Sequence, residues 1–413
     1  MKNSLVISSI TLMGIRALGV GVQLATTIFL ARNLTLLEMG QFALMYAALG
    51  LVRAIGSFGV DQASMRQIAG TMDGRRVSTA AQKLSLAGIV IAMASGILIS
   101  ICVLCAQKLG LLGAQNATLF AMAAPAYVLI GLLVGQVRGL GHNLAAQVPE
   151  SIGLQLFIFL ALMPAYLNGT LNGNDTLHAL LWAGWLTLAI QILIRFFIGG
   201  GPIGSVDRAS IKVLLSDGWS IFQAQIFTVL AMRAPIFLAT AILGAGGTAI
   251  IEVALRFGTL PSLLTSSVGA TFSPAYARLS KDNNILGLNK ARKQAGLLAG
   301  IPSFVYVLFC TLGGGVLIGW AFPASYSVAV LPISLIAFGS FLNAAFGPAS
   351  NVFLMSGQAK IVRKYSVLRL ICVVVVSFLA GPIWGSVGIA IAILLGFALR
   401  DLGLSLVARR KGF

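Results

Sequence analysis

A chain of 413 residues in which 58% are hydrophobic and only 9% charged does not have the composition of a soluble globular protein. Its formal charge of +18, from 28 basic and 10 acidic residues, would suit nucleic acid in a soluble chain. Here the basic residues mark membrane topology and contact with anionic headgroups, and nucleic acid is not an expected partner.

Apolar runs long enough to cross a hydrocarbon core of about 30 Å recur from end to end and leave no room for a soluble domain. Unpaired backbone groups are costly in lipid, so these runs are expected to be helices. The first, 5–31, is too long for a cleaved signal and carries Arg16 in its middle, so it reads as a retained helix. Further runs follow at 41–65, 84–106, 117–138, 147–167 and 177–198. A second set follows at 219–243, 248–271, 295–319, 328–354, 365–383 and 386–407. The expected fold is an all-α polytopic membrane protein of about twelve transmembrane helices in two six-helix bundles, 1–200 and 219–413. Between them lie the break Gly199-Gly200-Gly201-Pro202 and a mixed-charge stretch, read as a cytoplasmic linker, 201–218, with a short amphipathic helix.

Alternate connections collect the basic residues. One side gathers 22, at Lys2, in 66–83, at Arg138, in 195–212, in 278–293, in 360–369 and in 400–411; the other holds only Arg32 and Lys108. Lys and Arg are retained on the cytoplasmic side, so both termini are expected there, in a bacterial inner membrane. Cys102, Cys105, Cys310 and Cys372 all lie in apolar runs and read as small hydrophobes. His142 and His178 fall at opposite membrane faces, which removes a shared metal or a His-paired nucleophile.

Four arginines have no topological role: Arg16, Arg53, Arg233 and Arg256, about nine to fourteen residues from the nearer end of helices one, two, seven and eight. An Arg at a helix centre costs about 2.5 to 3.5 kcal/mol, so such residues face a bundle interior or a wet cavity. Within those helices only Asp61 and Glu252 can act as acidic partners, with Gln23 as a further polar group. Glu252 precedes Arg256 by four residues, the spacing of a pair on one helical face, and such a pair either locks the helix or leaves Arg256 for a ligand. Asp61 lies eight residues past Arg53, too far for direct contact within one helix. Two arginines then remain unpaired, a surplus that suits an anionic substrate. Guanidinium is suited to phosphate because its planar fork binds bidentately and stays charged. The two-plus-two placement points to two related bundles around one midplane site. A shift of 210 residues, laying Gly59 over Gly269, adds a faint echo of that repeat.

The blocks Arg16-Ala-Leu-Gly19, Leu30-Ala-Arg32-Asn-Leu34, Glu38-Met-Gly40-Gln-Phe42 and Phe58-Gly59-Val-Asp61 resemble the start of the polysaccharide flippases that move lipid-linked O-antigen or exopolysaccharide units. Glu252-Val-Ala-Leu-Arg256-Phe, running to Pro274-Ala-Tyr276-Ala-Arg278-Leu279, resembles the matching block of the second half. The resemblance covers the whole chain in helix count, with motifs confined to helices one, two, seven and eight. It implies a V-shaped transporter of the multidrug/oligosaccharidyl-lipid/polysaccharide (MOP) exporter superfamily, MATE-like in fold. The related lipid II flippases carry functional arginines in the first, second and eighth helices, and by local pattern Arg16, Arg53 and Arg256 fall there. Those flippases have fourteen helices and a charged pair late in helix one, where this chain reads Val22-Gln23.

The implied activity is transfer of an undecaprenyl-diphosphate-linked oligosaccharide from the cytoplasmic to the periplasmic leaflet by alternating access, by a protein that is not an enzyme. The implied partners are that lipid, the surrounding membrane and other polysaccharide-assembly membrane proteins, and the chain is expected to act as a monomer. No cofactor is implied, and a coupling ion, H+ or Na+, is left open. The alternatives are a cation antiporter of the same superfamily, which needs acidic cavity residues, and a membrane polysaccharide polymerase, which needs a longer external loop than the roughly ten residues available here.

Overall fold

A computed structural model describes residues 2–71, 78–109, 114–199, 206–282 and 284–411. Arg75, Arg76 and the glycine–proline break at 200–202 lie outside the described residues. No strand occurs among the described residues. The first half comprises α1 (Lys2–Asn33), α2 (Leu36–Gly56), α3 (Val60–Gly70), α4 (Thr79–Lys108), α5 (Ala114–Gly139), α6 (Asn143–Val148), a π turn (Pro149–Gly153), α7 (Leu154–Leu167) and α8 (Gly173–Gly199). The second comprises α9 (Arg208–Gly258), α10 (Pro261–Lys281), α11 (Ile285–Ala321), a 3-10 turn (Ala324–Ala329), α12 (Val330–Phe346), α13 (Pro348–Met355), α14 (Ala359–Trp384) and α15 (Ser386–Arg410).

Eleven helices among the described residues are long and apolar enough to span a membrane. The expected twelve are recovered because α9 turns back on itself. Gly244 adopts φ 72° and ψ −172°, which is non-helical. The Thr240 and Thr248 hydroxyls meet at 2.9 Å, whereas residues eight apart on a straight helix are separated by about 12 Å. Only a reversal at Gly244 brings them together, so α9 holds two antiparallel arms, and the second continues into α10. The amphipathic segment expected on the linker is helical, but it runs into the first arm of α9 without a break.

These helices invert the pattern of a soluble protein. On α11, Leu297, Leu298, Ile301, Val305, Leu308, Leu312 and Val316 are exposed, while Ala295, Ala299, Ser303 and Gly314 are buried. Large apolar side chains therefore meet lipid and small ones meet the neighbouring helix, the arrangement expected where lipid supplies the apolar solvent.

The chain divides into two compact units. The first comprises residues 1–26 and 45–226, the second residues 27–44 and 227–413. The core of the first gathers Val60, Ala63, Ile68, Leu84, Val128, Leu132 and Leu214. Its α4–α5 contact is pinned by a reciprocal pair: Ser85 Oγ donates to Gln136 Oε1 at 2.7 Å, and Gln136 Nε2 donates to the Ser85 carbonyl at 3.0 Å. In the second unit the Arg32 guanidinium donates to the Ala321 carbonyl at 2.8 Å and to that of Trp320. It thereby occupies the electronegative C-terminus of α11. The same unit contains a capping box at the start of α2, where the Thr35 N–H and hydroxyl both donate to Glu38 Oε2, at 3.0 and 2.8 Å.

Candidate functional site

The candidate site of the first unit is built on a broken transmembrane helix. α2 ends at Gly56 because Phe58 and Gly59 both take positive φ, 48° and 71°. Two successive left-handed residues cannot continue an α-helix. The break places Arg53 in the last turn of α2 and Asp61 in the first turn of α3. Each charge thus sits at the helix end whose dipole favours it. Discontinuous helices of this kind carry the binding sites of many transporters.

The broken helix lies in a groove of glycines on α5. A Cβ on Gly131 would stand 3.0 Å from Arg53 Nε, one on Gly135 2.3 Å from the Asp61 carbonyl oxygen, and one on Gly139 2.9 Å from that of Met65. The four-residue spacing aligns the three on one face of α5. Larger residues would push the Arg53–Asp61 segment away.

Arg53 Nη2 lies 2.6 Å from Glu150 Oε1, and the second carboxylate oxygen faces Arg138 Nη2 at 3.6 Å. Arg138 also donates to Gln147 Oε1, whose amide donates to Ser151 Oγ at 3.0 Å. Glu150 belongs to the π turn, which closes from the Leu154 N–H to the Pro149 carbonyl. Pro149 has no N–H to give an α-helical bond, so the widened turn forms at that point and aims Glu150 at Arg53. α1 abuts the turn closely: a Cβ on Gly19 would be 2.8 Å from Ser151 Cβ. Arg16, half-buried, lies one turn earlier on the same face and acts electrostatically on Arg138. Among the described residues Arg16 has neither a hydrogen-bond nor an ion-pair partner. Gln155, next to the turn, donates to Tyr46 Oη at 2.8 Å. Three arginines (Arg16, Arg53, Arg138) therefore share two carboxylates (Glu150, Asp61), and one positive charge is in excess. Gln23 is half-buried on α1 and has a partner.

The second unit holds Arg233, Arg256 and Glu252. Arg256 Nε and Glu252 Oε1 form the expected i, i+4 ion pair, with side chains only 7% and 9% exposed. Arg233 and Arg256 stand at similar depth on the two arms of α9, eleven and twelve residues from the Gly244 turn. Arg233 is half-buried and has no hydrogen-bond or ion-pair partner among the described residues.

Two readings of the sequence need correction. Glu150, not considered among the acids near the mid-membrane arginines, is the residue that pairs with Arg53. The signal was an acid directly after Pro149 inside an apolar run. Arg138, Arg195, Arg292 and Arg369, assigned to topology, do more than mark a membrane face. Arg138 completes the Glu150 cluster, the other three are 6–7% exposed, and Arg369 lies 4.0 Å over the Phe397 ring. The depth of each helix was legible, but the partners brought by packing were not.

The ends of α3 and α9 form a second feature of the first unit. Phe58 stacks with Trp219 and Phe222 at centroid distances of 6.1 and 5.0 Å. A Cβ on Gly59 would lie 2.4 Å from the Gly218 carbonyl oxygen. Asp217 Oδ2 accepts from Gln67 and Arg66, both at 2.6 Å, and those bonds hold its carboxyl below the ordinary carboxylate range.

No protein-family model and no curated protein sequence matches this chain. Solved structures do. An inward-facing multidrug resistance MATE family transporter of the MOP superfamily superposes with a TM-score of 0.77 at 17% identity, covering 98% of each chain. The lipid II flippase MurJ, in an inward closed conformation, gives 0.73 at 15% identity over 97% of this chain and 87% of its own. A MOP superfamily transporter from Pyrococcus furiosus, described as having a binding pocket of reversed polarity, gives 0.60 at 16% identity over 98% and 95%. The fold is that of the MOP-superfamily transporters, and the chain is a multi-pass membrane protein.

Proposed function

From that shared fold we propose that the chain is a flippase for an anionic lipid-linked oligosaccharide, carrying an undecaprenyl-diphosphate-linked repeat unit from the cytoplasmic to the periplasmic leaflet for O-antigen, capsule or exopolysaccharide assembly. The observation that carries the reading is the excess positive charge of the Arg53–Glu150–Arg138 cluster, on which Arg16 acts through Arg138 while having no hydrogen-bond or ion-pair partner among the described residues. A diphosphate satisfies that excess, and its planar-fork recognition suits guanidinium over ammonium. Glu150 competes with the phosphate for Arg53: its carboxylate pairs with the guanidinium and yields it when a diphosphate enters. This exchange keeps a charge inside the membrane paired in both states, which lowers the cost of each. Arg233 and Arg256 are the mid-membrane cations of the second unit, and Arg256 is partly committed to Glu252. The protein lies in a bacterial inner membrane with both termini cytoplasmic, a topology supported by the alternation of basic residues. It works as a monomer beside other polysaccharide-assembly proteins.

Complementation of a deletion strain tests the reading. Arg53→Ala and Arg16→Ala, matched for expression, should abolish surface polysaccharide and leave lipid-linked oligosaccharide in the cytoplasmic leaflet. Normal export in both variants removes the cluster from the mechanism.

A second reading, export of cationic compounds, is favoured by one observation: Glu150 and Asp61 place two carboxylates inside the first unit, the residue type a cation antiporter requires. It predicts drug sensitivity on deletion, with Glu150→Gln inactive and Arg53→Ala tolerated.

A further inference from the structure

A cavity of about 330 Å3 lies wholly within the second unit and has no part in the scheme above. Thr265, Ser266 and Ser273 of α10, Asn343 of α12, Asn351 of α13 and Arg400 of α15 line it. Arg400 stands near the middle of the α15 span, and Arg369 near the middle of the α14 span. At that depth an ionised group needs a counter-charge.

The two arginines converge on one turn of α15. The Arg369 stem packs on Gly396, where a Cβ would stand 3.2 Å from its Cγ, and the guanidinium lies 4.0 Å over the Phe397 ring. Gly396 and Phe397 precede Arg400 and Asp401 by four residues each, so Arg369 sits one turn from both and acts electrostatically on both. Asp401 is fully buried with both oxygens engaged, Oδ1 by Arg400 Nη1 at 3.3 Å and Oδ2 by Asn343 Nδ2 at 3.0 Å. Among the described residues it is the only acid that pairs with or acts on either arginine. Two guanidinium charges therefore share one carboxylate, and one positive charge is in excess. The Nε atoms of Arg369 and Arg400 are both buried without a hydrogen-bond partner. The Phe397 face offsets part of the desolvation of Arg369 but none of its charge.

We propose that this cavity binds one small monovalent anion of the chloride type, held against Arg400 and Asn351 by the excess charge of the Arg369–Arg400–Asp401 cluster. One monovalent anion balances the cluster, whereas a doubly charged sulfate or phosphate reverses the imbalance. Asn351 makes no hydrogen bond among the described residues, so its amide N–H groups are available beside the guanidinium. Ser266 and Ser273 donate to the carbonyls of Leu263 and Gly269 at 2.9 and 2.7 Å, and their remaining lone pairs suit water around the ion. The site is complete within the second unit and does not depend on which substrate is transported.

The test is a chloride titration of the full chain in zwitterionic nanodiscs, in gluconate buffer at constant ionic strength, read by chloride NMR line broadening and by melting temperature. The parent should broaden the chloride line saturably and melt at a higher temperature with chloride than with gluconate. Arg400→Gln, and separately Arg369→Gln, should weaken binding by at least about tenfold, the second without altering any lining residue. Asp401→Asn raises the excess charge and should strengthen binding by about tenfold, which a merely structural cluster would not do. Should the arginine variants fail to fold, Asn351→Leu keeps every charge and should still weaken binding. Bromide should displace chloride, and sulfate should do so at least about tenfold less well. No saturable broadening by the parent overturns the site. Equal affinity in the parent and the folded variants places the ion elsewhere and overturns it too, as does sulfate competing as well as bromide.

Discussion

Arg53 and Glu150 meet at 2.6 Å although one ends a broken helix and the other sits in a π turn almost a hundred residues later. Both positions are local interruptions of helical geometry, and each is caused by residues next to the charge it presents: Phe58-Gly59 for the first, Pro149 for the second. The pair therefore depends on two backbone irregularities, and straightening either one separates the charges.

Glu150→Gln should free Arg53 from its carboxylate. Undecaprenyl diphosphate is expected to bind more tightly to this variant, by up to about tenfold, and transport should slow because release then lacks a competing anion. Binding and single-turnover transport measured together check this; weaker binding would contradict that competition.

Lysine at position 53 retains the charge but not the fork. Arg53→Lys is expected to keep insertion and most stability while losing the larger part of transport activity. Full activity would mean that charge alone suffices.

Gly135→Val places a side chain where a Cβ already stands 2.3 Å from the Asp61 carbonyl oxygen. Overpacking of this kind typically costs about 1 to 3 kcal/mol. Transport should fall and the melting temperature drop, while a valine at Gly315, where nothing lies within 4 Å, should be silent.

The contact of Asp217 with Gln67 and Arg66 should be acid-sensitive. Its folded-state pKa lies below its unfolded value, so the stabilisation is fully present above the unfolded carboxylate pKa and is lost as the pH falls through the lower, folded one. Asp217 lies before the membrane span that begins at Gln225. Hydrogen exchange at the start of α9 should rise in acid in the parent, whereas Asp217→Asn should show faster exchange already at neutral pH and little further change.

The spans and their order were legible because lipid imposes a length and composition on every crossing helix. The mid-membrane arginines stood out for the same reason, as did the i, i+4 pair of Glu252 and Arg256. Three features were not read. The break at Phe58-Gly59 falls inside the run 41–65, which read as one helix, whereas the reversal at Gly244 matches the gap expected between 219–243 and 248–271. The glycine ladder at 131, 135 and 139 was present as a spacing, yet its meaning depends on which helix lies in it. Glu150 required knowing that a π turn rotates it toward α2. Each of these is a tertiary fact carried by a small residue or a local irregularity, and periodicity does not report such facts.

The central claim is that the arginines of the first unit hold the substrate's diphosphate. Binding of undecaprenyl diphosphate to the purified chain in nanodiscs tests it most directly, comparing the parent with an Arg16→Ala, Arg53→Ala double variant of intact melting temperature. The account predicts saturable binding by the parent and a loss of at least about tenfold in the variant. Equal affinity in the two proteins would contradict it.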